Sequence, residues 1–163
     1  MTNPEITIRF ATREDIPLIL SLIRDLAEYE KLLDDVVTTE RILDKSLFGD
    51  RKTAEVLIGS YSGHAISYAL FFHNFSTFLG KPGIYIEDLY VREAFRGKGM
   101  GKALFSYLAG IVKERDCGRL EWAVLNWNRP AIQFYENLGA RPMNGWTVYR
   151  LTGQKLEELS SGK

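Results

Sequence analysis

Apolar positions recur along this chain at two different spacings. Ile6 to Phe10 (ITIRF) alternates residue by residue and predicts a short first strand. After it, Ile16, Ile19, Leu20, Ile23, Leu26 and Ala27 fall on one face at helical spacing. The stretch Thr12–Asp15 (TRED) offers capping residues, and Pro17 suits a first helical turn, so this helix starts near 16 and fades by Glu30–Leu33. A second helix is predicted over Thr39–Phe48, stopped by Gly49. Ala54–Ser60 and Ala65–Phe72, joined at Ser62-Gly63, read as a hairpin. Residues Phe75–Gly83 read as a loop. The next strand, Ile84–Val91 (IYIEDLYV), should place Ile84, Ile86, Asp88 and Tyr90 on one side of the pleat and Tyr85, Glu87, Leu89 and Val91 on the other. A glycine-rich loop follows, then a helix carrying Ala103, Leu104, Tyr107, Leu108, Ile111 and Val112, ended by Cys117-Gly118. Leu120–Leu125 suits a buried strand. Asn128, Pro130 and Gly139 supply the cap, first turn and stop of another helix. Trp146–Leu151 reads as a last strand and Lys155–Leu159 as a closing helical turn. Hairpins first and β-α-β crossovers second imply an α/β chain with a mixed sheet and helices on its faces.

Composition narrows the class. At 163 residues the chain suits a single domain spanning 1–163. Lys+Arg and Asp+Glu balance at 21 each, which argues against a general nucleic-acid binder. Nothing in the sequence is long and apolar enough for a membrane span, and the stretch MTNPEITIRF does not read as an export signal. One cysteine, Cys117, and two histidines assemble no soft-ligand metal site, so no metal is expected. A cytoplasmic setting follows as the default.

The loop RGKGMGKALF (96–105) carries the chemistry. Glycines let a backbone approach a ligand, and the helix start behind it attracts phosphate. A P-loop reading fails because position 96 is Arg96 and position 103 is Ala103. A dinucleotide reading fails in both frames, at Lys102 and at Leu104. The residues alone leave a phosphate cradle and a plain surface turn both open.

Read as R-x-x-G-x-G, Arg96–Gly101 resembles the acetyl-CoA loop of the GNAT superfamily of N-acetyltransferases. IRFATREDIPLILSLI resembles the start of that fold, IYIEDLYV its cofactor strand, and NWNRPAIQFYENLGA (126–140) its second cofactor segment. LAEYE (26–30), YIEDLYV (85–91) and WNRPAIQFY (127–135) resemble the diamine acetyltransferase group, which includes a thialysine branch. The resemblance implies a mostly antiparallel sheet splayed at an acetyl-CoA cleft between strands 84–91 and 120–125. Pantetheine would pair with the backbone of Leu89, Tyr90 and Val91. Pyrophosphate would lie on Arg96, Gly97, Lys98, Gly99, Met100 and Gly101, with Lys102 at the helix start. Asn128 would contact the pantetheine side. The group's enzymes are homodimers.

Acetyl transfer to an amine needs a proton acceptor, an oxyanion donor and a proton for the departing thiolate. The resemblance points to Glu87 as base and Tyr135 as acid, with a backbone N–H at Leu89 or Tyr90 for the oxyanion. From the residues alone, Glu87 could equally be a surface charge and Phe134-Tyr135 core packing. In the fold it resembles, Tyr29 and Glu30 end the first helix close to the substrate cleft; with Glu87, Asp88, Asp34 and Asp35 they would suit a cationic acceptor, while the residues alone equally fit a solvated acidic loop. Two positions depart from the polyamine enzymes. Phe75-Ser76-Thr77-Phe78 lacks their aspartate, and Arg129 replaces an acid. Both remove negative charge and leave room for a smaller or mixed-charge amine such as a lysine analogue. Other expectations are an amino-acid or protein-lysine acceptor, or a module that senses acyl-CoA or polyamine without catalysis. Trp122, Trp127 and Trp146 read as core or interface residues.

Overall fold

A computed structural model describes residues 5–162. Residues 1–4, part of the stretch read for an export signal, lie outside the described residues. The chain forms two compact units, one up to Ala123 and one from Val124 onward. The first contains β1 (Ile6–Phe10), α1 (Ile16–Tyr29), α2 (Glu40–Phe48), β2 (Glu55–Tyr61), β3 (His64–Ser76), β4 (Lys81–Val91), α3 (Met100–Glu114) and β5 (Leu120–Trp122). The second contains α4 (Arg129–Asn137) and α5 (Gly153–Ser160).

The sheet order is β1-β2-β3-β4-β5. The first four strands are antiparallel and β5 runs parallel to β4. This is the expected mixed sheet. On one face, Ile16, Ile19 and Leu22 of α1 and Leu43 and Leu47 of α2 pack against Val56, Ile58, Tyr68 and Tyr90. On the other face, α3 buries Met100, Leu104, Phe105, Leu108 and Ile111. Its approach is close enough that a Cβ on Gly59 of β2 would lie 2.6 Å from the Met100 sulfur. Further along α3, Tyr107 meets Phe10 of β1 edge-on at 6.2 Å.

The entry to α1 follows its sequence signal. Thr12 and Asp15 form a capping box, and Pro17 sits in the first turn. Arg9 donates to both Asp15 oxygens, at 2.6 and 2.8 Å, and the Thr12 N–H donates to Asp15 at 2.7 Å. These donors, the Arg9 bond first, hold the Asp15 carboxyl at about 2. The stabilisation is therefore complete above the unfolded aspartate pKa, about 4, and is lost as pH falls through about 2. Asp15→Asn should lower the melting temperature at neutral pH, and the gap to wild type should close as pH falls toward 2. A gap that stays constant over that range would rule out the charged cap.

Several boundaries differ from the sequence reading. Leu22, absent from the predicted stripe, is fully buried, while Leu20, Ile23 and Leu26 pack at the margin of the core. In α3, Met100 and Phe105 are buried and Tyr107 is surface-lying. That helix ends at Glu114, where Asp116 turns left-handed (φ 50°) and the Cys117 N–H donates back to the Val112 carbonyl. The predicted loop 75–83 shrinks to a turn, because Phe75 and Ser76 pair with Pro82 and Lys81. Ser76 is buried there and its hydroxyl accepts from the Leu79 N–H.

Trp146–Leu151 is not a strand. Its apolar pattern has no ladder partner among the described residues, and Val148 and Tyr149 are 85% and 92% exposed. The closing turn predicted over 155–159 is the middle of α5.

Candidate active site

One irregularity in β4 organises the site. Phe71 pairs with Ile86, but the next residue back, Leu70, pairs with Asp88. Glu87 is therefore the extra residue of a β-bulge, and it is exposed. Directly paired residues share a face. Ile84 and Ile86 thus lie on the α3 face with Phe71, whereas Asp88 and Tyr90 lie on the α1 face with Leu70 and Tyr68. The expected grouping of Ile84, Ile86, Asp88 and Tyr90 on one side is incorrect, because the bulge resets the alternation.

The bulge also coincides with the end of the β4–β5 ladder. Pairing runs from Ile84↔Leu120 to Ile86↔Trp122 and stops. The expected strand 120–125 is only three residues long. The Arg92 N–H donates to Ile66 of β3 at 3.0 Å. By strict alternation, Tyr90 also turns its N–H toward β3, while Leu89 and Val91 present theirs to the opposite edge. Of the three residues expected to pair with pantetheine, Leu89 and Val91 face the edge that β5 has left and Tyr90 does not. The Tyr90 N–H is thus directed at β3, away from that edge.

Asp88 lies on the α1 face within electrostatic reach of Glu30. The fully buried Tyr68 hydroxyl donates to Asp88 Oδ2 at 2.9 Å. Burial raises the Asp88 pKa, opposed by the Tyr68 bond and reinforced by Glu87. Glu30, just past the end of α1, is raised by burial and by the charge of Asp88. Tyr68 is pushed well above its ordinary value by burial and by Asp88, so it stays a donor. Tyr29 lies under the Arg96 guanidinium, 4.3 Å from ring centre to Cζ. Asp34 and Asp35 sit in a short turn beyond α1. Sequence reasoning missed Tyr68; its only signal was a phenol inside the apolar run HAISYALFF.

The glycine loop joins β4 to α3. Gly97 and Gly99 have φ of 76° and 92°, the left-handed region, and Gly99 is the N-cap. A Cβ at Gly97 would meet nothing within 4 Å, so backbone conformation rather than crowding demands glycine there. The first-turn N–H groups of Met100, Gly101 and Lys102 have no acceptor within the helix. They and the positive helix end suit a pyrophosphate. The Arg96 N–H is spent on Glu93 of the preceding turn, and its side chain donates to the Val91 carbonyl at 3.0 Å. Lys98 lies over the Tyr61 ring at 4.8 Å, and Lys102 is exposed.

In the second unit, Asn128 caps α4 by accepting from the Ala131 N–H, with Pro130 in the first turn. Gly139 ends that helix at φ 89°. Phe134 and Tyr135 are adjacent rings 5.7 Å apart. Trp127 and Trp146 are exposed, while Trp122 packs on Phe105 at 4.8 Å in the first unit. Among the described residues no cluster of His, Cys, Asp and Glu could hold a metal ion, and no helix is long and apolar enough to cross a membrane.

The sequence profile of the Acetyltransferase (GNAT) family matches residues 21–140. The chain is 37% identical to the thialysine N-epsilon-acetyltransferase of Bos taurus, over 95% of this chain and 97% of that one. It is 32% identical to an L-ornithine N5-acetyltransferase of Arabidopsis thaliana, over 93% and 86%. An integron cassette protein from V. cholerae shares its fold, with a TM-score of 0.81 over 97% of this chain and 99% of that one at 23% identity. An open β4 edge ending at a glycine-capped helix start, together with these matches, places the chain in the GNAT family: it is an N-acetyltransferase that takes acetyl from acetyl-CoA to an amine.

Proposed function

We propose that the acceptor is a small molecule with a primary amine and a second cationic group, of the thialysine or ornithine kind or a short diamine. The observation that carries this is the acid pair Asp88–Glu30 beside the open edge of β4. Relatives named for thialysine and ornithine favour an amino acid over spermine, as do the loop 75–78 and Arg129, where the polyamine enzymes this chain resembles carry acids.

An alkyl amine has a pKa of roughly 10 and arrives protonated. In the proposed reaction Glu87 takes that proton, directly or through water. The amine nitrogen then attacks the thioester carbonyl carbon. The edge-facing N–H of Leu89 stabilises the oxyanion. The intermediate breaks its C–S bond, the thiolate takes a proton from Tyr135, and the amide nitrogen gives up its second proton through water to the tyrosinate, leaving the neutral N-acetylamine and CoA. Leu89 and Val91 pair with pantetheine, the Gly97–Lys102 backbone holds pyrophosphate, and Asn128 contacts the pantetheine side. The whole chain acts as one catalytic domain. The exposed Trp146, Val148 and Tyr149 supply apolar surface for a homodimer.

A screen of thialysine, lysine, ornithine, diamines and polyamines for CoA release tests this reading. Turnover should be fastest with a dicationic small amine, and CoA but not ATP should raise the melting temperature. Acetyl-CoA binding without turnover on any amine would make the protein a sensing module instead. Preference for a protein lysine would overturn the small-molecule acceptor.

A further inference from the structure

We propose that Tyr68 is a positioning residue: its buried hydroxyl fixes the Asp88 carboxylate so that one oxygen is held and the other meets the acceptor's second cation. The role rests on the functional reading above. Among the described residues, Tyr68 is the hydrogen-bond partner of Asp88, and the bond goes to Oδ2 at 2.9 Å. Tyr68 is itself fixed in place by packing. It has no exposed surface, it pairs with Tyr90 across β3–β4, and it packs in the α1–α2 core.

The pairing depends on the bulge. Leu70 and Tyr68 occupy the same face of β3, and the extra residue Glu87 turns Asp88 onto that face. Without the bulge the carboxylate would not share a face with the phenol. The titratable groups that act on Asp88 are Tyr68 from β3 through its hydrogen bond, and Glu30 just past α1 and Glu87 of its own strand through their charge. Tyr68 is the donor in this set; Glu30 and Glu87 are acids that disfavour a further negative charge. Removing the hydroxyl therefore leaves Asp88 harder to ionise. An ionised Asp88 with one free oxygen suits an ammonium, whereas a neutral or rotated carboxyl does not.

The test uses Tyr68→Phe, Asp88→Asn and the double variant, with the amine that wild type turns over best. Phe keeps the ring in its buried place. Tyr68→Phe should raise the amine KM on the order of tenfold, with kcat within about twofold and the acetyl-CoA KM unchanged. The acid limb of kcat/KM should move to higher pH, because the donor that favoured the anion is gone. In the Asp88→Asn background the same substitution should change neither quantity further. An unmoved acid limb with an unchanged amine KM would overturn the positioning role. So would a full tenfold loss on top of Asp88→Asn, which would mean that Tyr68 does not act through Asp88. Wild type failing on every amine would instead overturn the functional reading, and the positioning role with it.

Discussion

With Tyr135 as the proposed acid, Tyr135→Phe should lower turnover by about a hundredfold and leave acetyl-CoA binding nearly intact. A positioned general acid contributes about 10²–10⁴ in rate, and a phenol lost from a helix surface sits at the low end. A thiolate can leave unaided, so the acid matters less than it would for an alkoxide. The ring, kept in phenylalanine, still packs beside Phe134, 5.7 Å away in the parent. Calorimetry with CoA and single-turnover kinetics with acetyl-CoA separate the two effects. If turnover is unchanged, Tyr135 is not the acid. If CoA affinity falls as far as turnover does, the hydroxyl serves binding rather than proton transfer.

With Glu87 as the proposed base, Glu87→Gln should give the second large effect, a loss in kcat/KM of about a hundredfold at pH 7. Glutamine keeps the size of the side chain and the bulge, since the bulge is a matter of register. The signature is in the pH dependence. The amine, with a pKa of roughly 10, must lose its proton before attack. As the pH approaches that value, solvent supplies the neutral amine and the deficit should shrink. A deficit that holds constant to high pH would show that Glu87 acts on something other than the amine proton.

Much of the fold was legible because local signals and tertiary needs agree. Thr39 was expected at the start of α2, and it accepts the Ile42 N–H there. Asn128 and Pro130 open α4 as their chemistry requires, and Gly139 closes it. The glycine loop was legible for the same reason: left-handed φ at Gly97 and Gly99 is a backbone need that the sequence writes directly. Trp146–Leu151 shows where that logic stops. Its side chains fit a strand, but a strand is a pairing, and no partner exists for it among the described residues.

The acceptor side was the least legible. Glu30, Glu87 and Asp88 were named from the chain, yet their arrangement was not in it. An alternation rule counts residues, and a bulge adds one residue without any sequence mark. That one residue sends Asp88 to the α1 face, where Tyr68 waits, and leaves Glu87 exposed at the point where β5 departs. By itself, the sequence determined the helices with their caps, the glycine-rich loop and the family resemblance, because each is encoded in residues close along the chain. Which side of the sheet each acid faces, and which N–H groups of β4 stay open, was decided only by the pairing of β4 with β3 and β5, because register is a property of two strands and not of one.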